Sequence, residues 1–140
     1  MIGDTRVQHS TNTTNTHIRR WLEENPARMH VFGDMGYLQP LFMEALRAHD
    51  LPTLGHLMNL HQLLQKAMGV SILESDRLCE AALGAGAYGA KISGSGGGGI
   101  IIALCKPEMT PAIAAAIDAA GGQSFCVQSG AAGTPPESPR

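Results

Sequence analysis

GAGAYGAKISGSGGGG, residues Gly84 to Gly99, followed by IIIALC, Ile100 to Cys105, is the stretch whose reading decides the fold. Eight of the sixteen residues before Ile100 are glycine, and the loop runs straight into an apolar, β-branched segment. Glycine alone takes φ > 0 repeatedly and lets another group approach the main chain closely. A glycine cluster between two apolar segments therefore points to backbone N–H groups that meet a ligand. Phosphate is the natural candidate, because successive exposed N–H groups form an anion-binding concavity. The plainer alternative is a flexible loop or a tight β-hairpin.

Two familiar motifs fail on context. Gly94, Gly96 and Gly99 satisfy G-x-G-x-x-G, but a dinucleotide site requires a helix after the glycines. Here a strand-like run, Ile100 to Leu104, follows instead. A Walker A loop ends in Gly-Lys-Ser/Thr, whereas Lys91 precedes the glycines.

Working outward, strands are expected at Gly89–Ser93 and Ile100–Cys105. Their short connection favours an antiparallel pair, since a parallel pair needs a long crossover. Upstream, Leu54, Leu57, Met58, Leu64 and Met68 form the stripe of an amphipathic helix over Thr53–Met68, with Gly69 as its C-terminal stop. Ser71 or Ser75 opens a further helix that ends near Gly84–Gly86. A helix over Thr13–Glu24 stops before Pro26. Another spans Ala27–His49, where Gly33, Gly36 and Pro40 predict a bend or break. Ile2–Gln8 reads as an edge strand. Downstream, Pro107 and Pro111 precede an alanine-rich helix, Ala112–Ala120, closed by Gly121 and Gly122, and Ser124–Gln128 reads as a last strand. The residues from Ser129 onward are rich in Gly, Pro and Ser, as in disordered tails. The pattern is α+β: an antiparallel sheet of three to four strands with helices packed on one face.

The 140-residue chain fits one domain of roughly 100–200 residues. Its 44% apolar content supplies a real core, and its net charge of −2 gives no electrostatic case for nucleic acid or an anionic membrane surface. No apolar run reaches the ~20 residues that span a bilayer. The N-terminus, MIGDTRVQHS, lacks the basic and apolar regions of a signal peptide. Cys79, Cys105 and Cys126 are odd in number and lack metal-ligand spacing, which fits reduced thiols in a cytoplasm. Cys79 and Cys105 lie in apolar patterns and read as core.

The stretch GAYGAKISGSGGGGIIIAL resembles the third signature motif of the GHMP kinases. LMNLHQLLQKAMGVS, Leu57 to Ser71, together with DRLCEAA, Asp76 to Ala82, resembles the mevalonate kinase branch of that family. Ser75 stands where that pattern has leucine. IGDTRVQHST, Ile2 to Thr11, resembles the strand and turn that open the C-terminal half of such kinases, with Arg6 in place of a glycine and Asn12 in place of a basic residue. The resemblance runs to about Gly133, so it implies a ferredoxin-like GHMP kinase C-terminal domain over residues 1–133 and a disordered tail over 134–140.

The same resemblance implies an ATP- and Mg²⁺-dependent phosphotransferase acting on a hydroxyl of a small molecule, incomplete without its N-terminal half. The family's Pro-x-x-x-Gly-Leu-Gly-Ser-Ser phosphate loop has no counterpart in these residues. In the mevalonate kinase branch that half also carries the catalytic aspartate and lysine and the Ser and Glu that hold Mg²⁺. No catalytic residue and no metal ligand is therefore assigned to this chain. Gly94, Ser95, Gly96, Gly97, Gly98 and Gly99 would approach the nucleotide phosphates, against the alternative of tight packing on the other domain. Thr11 matches a threonine near the substrate end of the pocket, against the alternative that Ser10 or Thr11 caps a helix.

Among the remaining polar groups, Lys91 and Ser93 share a strand face opposite Ala90 and Ile92, and Lys91 reads as a solvated surface lysine. Asp4 reads as a turn cap and His61 as a core or interface histidine. Neither it nor the other histidines show metal spacing. Alternative readings are a sugar or sugar-phosphate kinase of the galactokinase or heptose kinase type, and a non-catalytic binding domain. A homo-oligomer is expected from the apolar stripe at Leu54–Met68 and an open edge at Ile2–Val7.

Overall fold

The computed structural model describes residues 1–8 and 10–127, so the expected tail lies outside the described residues. The elements are β1 (Ile2–Asp4), α1 (Thr11–Glu24), a 3₁₀ turn (Pro26–Met29), α2 (His30–Arg47), α3 (Leu51–Ala67), α4 (Leu73–Gly84), β2 (Gly89–Ser93), β3 (Ile100–Leu104), a second 3₁₀ turn (Pro107–Met109), α5 (Thr110–Ala119) and β4 (Gln123–Phe125). The strands form one sheet in the order β2-β3-β1-β4. Every pairing is antiparallel, with Ile92 opposite Ile101, Gly3 opposite Ile101 from the other side, and Gly3 opposite Ser124.

Strand alternation places Ala90, Ile92, Ile101 and Ala103 on one face, all buried. There they meet Leu78, Cys79 and Ala82 of α4 and Ile113 and Ile117 of α5, none more than 4% exposed. The expected layer of helices on one face of an antiparallel sheet is thus present, and α4 and α5 form it. Helix α3 does something different. It runs beside β2, the outer strand, and α2 packs on α3 through a small cluster of Ala45, Leu54 and Leu57 with Leu38 and Phe42.

Several expectations need correction. The first strand is three residues long and interior, not an edge, because β4 returns to pair on its far side. Its edge is therefore closed, and the apolar stripe of α3 is spent inside: Leu54, Leu57, Met58 and Met68 are all buried. The large exposed apolar residues of the helices cluster instead on α2, where Tyr37 is 77% and Leu41 47% exposed. Helix α2 is not broken by Pro40. A Cβ on Gly33 or Gly36 would meet nothing within 4 Å, so those glycines face open space rather than a packing contact. Neither Ser71 nor Ser75 caps α4: Ile72 holds that position, Ser75 is buried, and Ser71 turns its hydroxyl elsewhere. Asp50 caps α3, its carboxylate accepting from the Thr53 amide at 3.0 Å and hydroxyl at 2.7 Å.

Candidate functional site: the glycine loop

The six residues Gly94–Gly99 connect β2 to β3, and five of them have positive φ: Gly94 (91°), Gly96 (85°), Gly97 (78°), Gly98 (140°) and Gly99 (77°). Those angles explain why the run is glycine, since a side chain costs roughly 1–2 kcal/mol per residue in that region. Close approach explains it independently at one position. A Cβ on Gly96 would lie 2.3 Å from the Val70 carbonyl oxygen.

Three separate segments hold the loop. From the turn after β1, the Thr5 amide and hydroxyl both donate to the Gly99 carbonyl, at 2.9 and 2.8 Å, and the Gly99 amide donates to Val7 O at 3.2 Å. From the segment between α3 and α4, Val70 O accepts the Gly97 amide at 2.8 Å. From α1, the buried Thr14 hydroxyl donates to Gly96 O at 3.4 Å, a long bond. This is a fastened loop, not a slack hairpin. The amides of Gly94, Ser95, Gly96 and Gly98 have no acceptor among the described residues; Gly94 is exposed and Ser95 half-buried, whereas Gly96 and Gly98 are buried. A fastened loop with several unspent N–H donors can bind an anion with little reorganisation.

Thr11 is the first residue of α1 and is exposed. Ser10 occupies the N-cap position but forms no side-chain cap bond, so the capping role weighed for Ser10 or Thr11 is not filled by the Ser10 hydroxyl. It is Thr14, one turn further on, that touches the glycine loop. Asp4 acts as the expected turn cap, its Oδ1 accepting from Arg6 N at 2.8 Å. Arg6, which stands where the resemblance has glycine, holds φ at 60°.

Lys91 is not the solvated lysine expected. It is half-buried, its Nζ donates to Ile92 O at 2.6 Å, and burial lowers its pKa. His61 is a half-buried histidine satisfied by Gln65, Nδ1 to Oε1 at 3.1 Å. Burial first, and then the nearby Lys91 charge, lowers its pKa. Cys79 lies in the core, where burial pushes its thiol up to about 12. No group of three His, Cys, Asp or Glu side chains suited to a metal occurs among the described residues. An open groove of about 440 Å³ lies beside α1, lined by Asn12, Thr13, Thr16, His17 and Arg20.

Sequence reasoning missed the side chains that hold β2 from outside. Asn59 Oδ1 accepts the Ala90 amide at 3.0 Å while its Nδ2 donates to Tyr88 O at 3.3 Å. Gln62 Oε1 accepts the Ile92 amide at 2.9 Å. These two side chains occupy the hydrogen-bonding groups that an outer strand otherwise leaves open. Their three-residue spacing on one helix face was the available signal.

The model of the family GHMP kinases C terminal matches residues 42–123. The chain belongs to the GHMP kinase family. The matched region contains α3, α4, the glycine loop and its two strands, so the family likeness rests on the elements just described. The mevalonate kinase of Thermococcus gammatolerans is 39% identical over 129 residues, covering 87% of this chain and 38% of that protein. That of Methanothermobacter thermautotrophicus is 52% identical over 64 residues, 46% of this chain and 21% of the relative. The crystal structure of L. major mevalonate kinase in complex with R-mevalonate superposes with a TM-score of 0.80 at 28% identity, over 84% of this chain and 37% of that one. Within the GHMP kinases the chain is thus similar to mevalonate kinases. It spans 38% of the length of the first curated relatives it matches.

Proposed function

We propose that this chain is the C-terminal half of a mevalonate-kinase-like phosphotransferase that moves the γ-phosphoryl group of ATP to a hydroxyl of a small metabolite. The observation that carries the reading is the glycine loop. Its backbone is fixed by Thr5, Val7, Val70 and Thr14, yet the amides of Gly94, Ser95, Gly96 and Gly98 are left without acceptors among the described residues. A Cβ on Gly94 would meet nothing within 4 Å, so the loop's β2 end is open to an incoming group. These features fit a nucleotide phosphate, which needs converging N–H donors and no side chain in the way.

Phosphoryl transfer depends largely on positioning and on stabilising charge spread over the phosphoryl oxygens. Bound ATP would supply the phosphoryl group, and Mg²⁺ would neutralise its charge. The loop Gly94–Gly99 would orient the phosphates through main-chain donors. Thr11, exposed at the start of α1, would contribute its hydroxyl at the substrate end. We assign the catalytic aspartate and lysine and the Mg²⁺ ligands to an N-terminal half, in keeping with the 38% of the relatives' length that this chain spans. The isolated chain is then inactive. Self-association and a cytoplasmic setting belong to the same proposal. Among the described residues no helix is long and apolar enough to cross a membrane.

The test is complementation. This chain is mixed with the N-terminal half of the Thermococcus gammatolerans mevalonate kinase, and ADP release is followed with mevalonate or galactose as acceptor. Turnover that requires both halves and mevalonate supports the proposal. Turnover with galactose alone redirects it to a sugar kinase. A stable, inactive complex of the two halves favours a non-catalytic binding domain.

A further inference from the structure

Gln62 touches both the strand that enters the glycine loop and the segment on which the loop rests. Its Oε1 accepts the Ile92 amide at 2.9 Å, two residues before Gly94. That bond fixes the orientation of the carboxamide and sends Nε2 the other way. There it donates to Ser71 Oγ at 2.8 Å and toward Asp76 Oδ1 at 3.3 Å. The Ser71 hydroxyl donates to the same Asp76 oxygen at 2.7 Å, and the other carboxylate oxygen is held by Lys66 at 3.1 Å. Gln62 itself is 6% exposed, and Asp76 donates nothing, so each member has one consistent role.

Ser71 follows Val70, the residue whose carbonyl receives the Gly97 amide and against which Gly96 is packed. Val70 is gripped on its other side as well, because its amide donates to Gln65 O at 3.2 Å. The carbonyl of Met68, two residues back, meets His17 Nε2 at 2.9 Å. The short segment Met68–Ser71 is therefore a rest for the loop, and the network of Gln62, Ser71 and Asp76 fastens its far end to α3 and α4.

We propose that Gln62 is the positioning residue of the glycine loop: one carboxamide sets the loop's approach through Ile92 and its seat through Ser71. The functional weight of this assignment rests on the phosphate-binding reading of the loop. The geometric claim does not, and it is tested without nucleotide. Buried hydrogen-bond networks specify a single arrangement when every member is satisfied, and no buried side-chain nitrogen or oxygen among the described residues lacks a partner.

The experiment is residue-resolved amide hydrogen exchange on the full chain, comparing Gln62→Met and Ser71→Ala with the parent. Methionine keeps the length of Gln62 without its polar atoms. Exchange in Gln62→Met is expected to rise by about tenfold at both Ile92 and Gly97, with Ile113 and Ile117 of α5 unchanged. Ser71→Ala severs only the second route, so it is expected to raise exchange at Gly97 and leave Ile92 at the parental rate. If Ser71→Ala leaves Gly97 at the parental rate, the inference is overturned. The same holds if either variant speeds Gly97 and Ile113 by equal factors, which would mark a general loss of stability. Should Gln62→Met fail to fold, Ser71→Ala alone decides between these outcomes. Failure here leaves the complementation test standing, and failure of complementation leaves this one standing.

Discussion

Gly89 and Gly55 bring two backbones together: a Cβ on Gly89 would lie 2.2 Å from the carbonyl oxygen of Gly55. The reverse contact is equally tight, since a Cβ on Gly55 would lie 2.3 Å from the Tyr88 carbonyl carbon. Helix α3 can lie this close to β2 only because both positions lack a side chain. That closeness puts Asn59 and Gln62 within reach of the strand amides. Gly89→Ala is expected to lose about 3 kcal/mol or more, because backbone cannot yield as a flexible side chain does. Urea denaturation checks this, with a lower midpoint at an unchanged slope. A midpoint within error of the parent would mean that α3 sits further from the sheet.

Arg6 holds φ at 60° in the turn that fastens Gly99. A side chain in that region is strained, and glycine relieves the strain while adding freedom to the unfolded chain. The two effects oppose each other. Arg6→Gly is expected to stabilise by about 0.5 kcal/mol, seen as a small rise in Tm. A fall in Tm would show that the Arg6 side chain makes a stabilising contact that outweighs the strain.

Asp50 caps α3, and its bonds to the Thr53 amide and hydroxyl hold its carboxyl below the ordinary 3.8. A carboxylate with a lowered folded pKa contributes stability above its unfolded pKa, and loses it as pH falls through the folded value. The parent is therefore expected to melt above Asp50→Ala at neutral pH. The gap should shrink as pH is taken below 3.8. A gap that is constant across that range would remove the cap from the account.

Cys79 and Cys126 offer a contrast in thiol chemistry. Cys79 is buried, with its pKa pushed up to about 12, whereas Cys126 is exposed. The thiolate is the reactive species. Iodoacetamide at neutral pH is expected to alkylate Cys126 promptly and Cys79 only at the rate of unfolding. Mass spectrometry of the peptides reads both. Prompt modification of Cys79 in the native protein would contradict the packing of α4 on the sheet.

What the sequence displayed was local. The glycine run, the antiparallel pair around it and the 3.6-residue stripe of α3 each show within fewer than twenty consecutive residues, and all stand. What it hid was non-local. Ile2–Asp4 reads as an edge strand because nothing near it says that Gln123–Phe125 will return to its far side. Pro40, with Gly33 and Gly36, reads as a bend or break, yet one helix continues through all three positions. Asn59 and Gln62 read as polar residues on a helix, since their partners, the amides of Ala90 and Ile92, belong to a strand some thirty residues away. Lys91 misleads for the same reason: alternation places it correctly on a face but does not say that the face is half covered.

The most direct measurement of the central claim follows the loop amides by ¹⁵N NMR. Mg-ATP is titrated into the labelled chain in the presence of the unlabelled N-terminal half. The account predicts saturable shifts at Gly94, Ser95, Gly96 and Gly98, whose amides have no internal acceptor among the described residues. Smaller changes are expected at Gly97 and Gly99, already bonded to Val70 and Val7. Nucleotide binding by calorimetry that leaves Gly94, Ser95, Gly96 and Gly98 unmoved would contradict it.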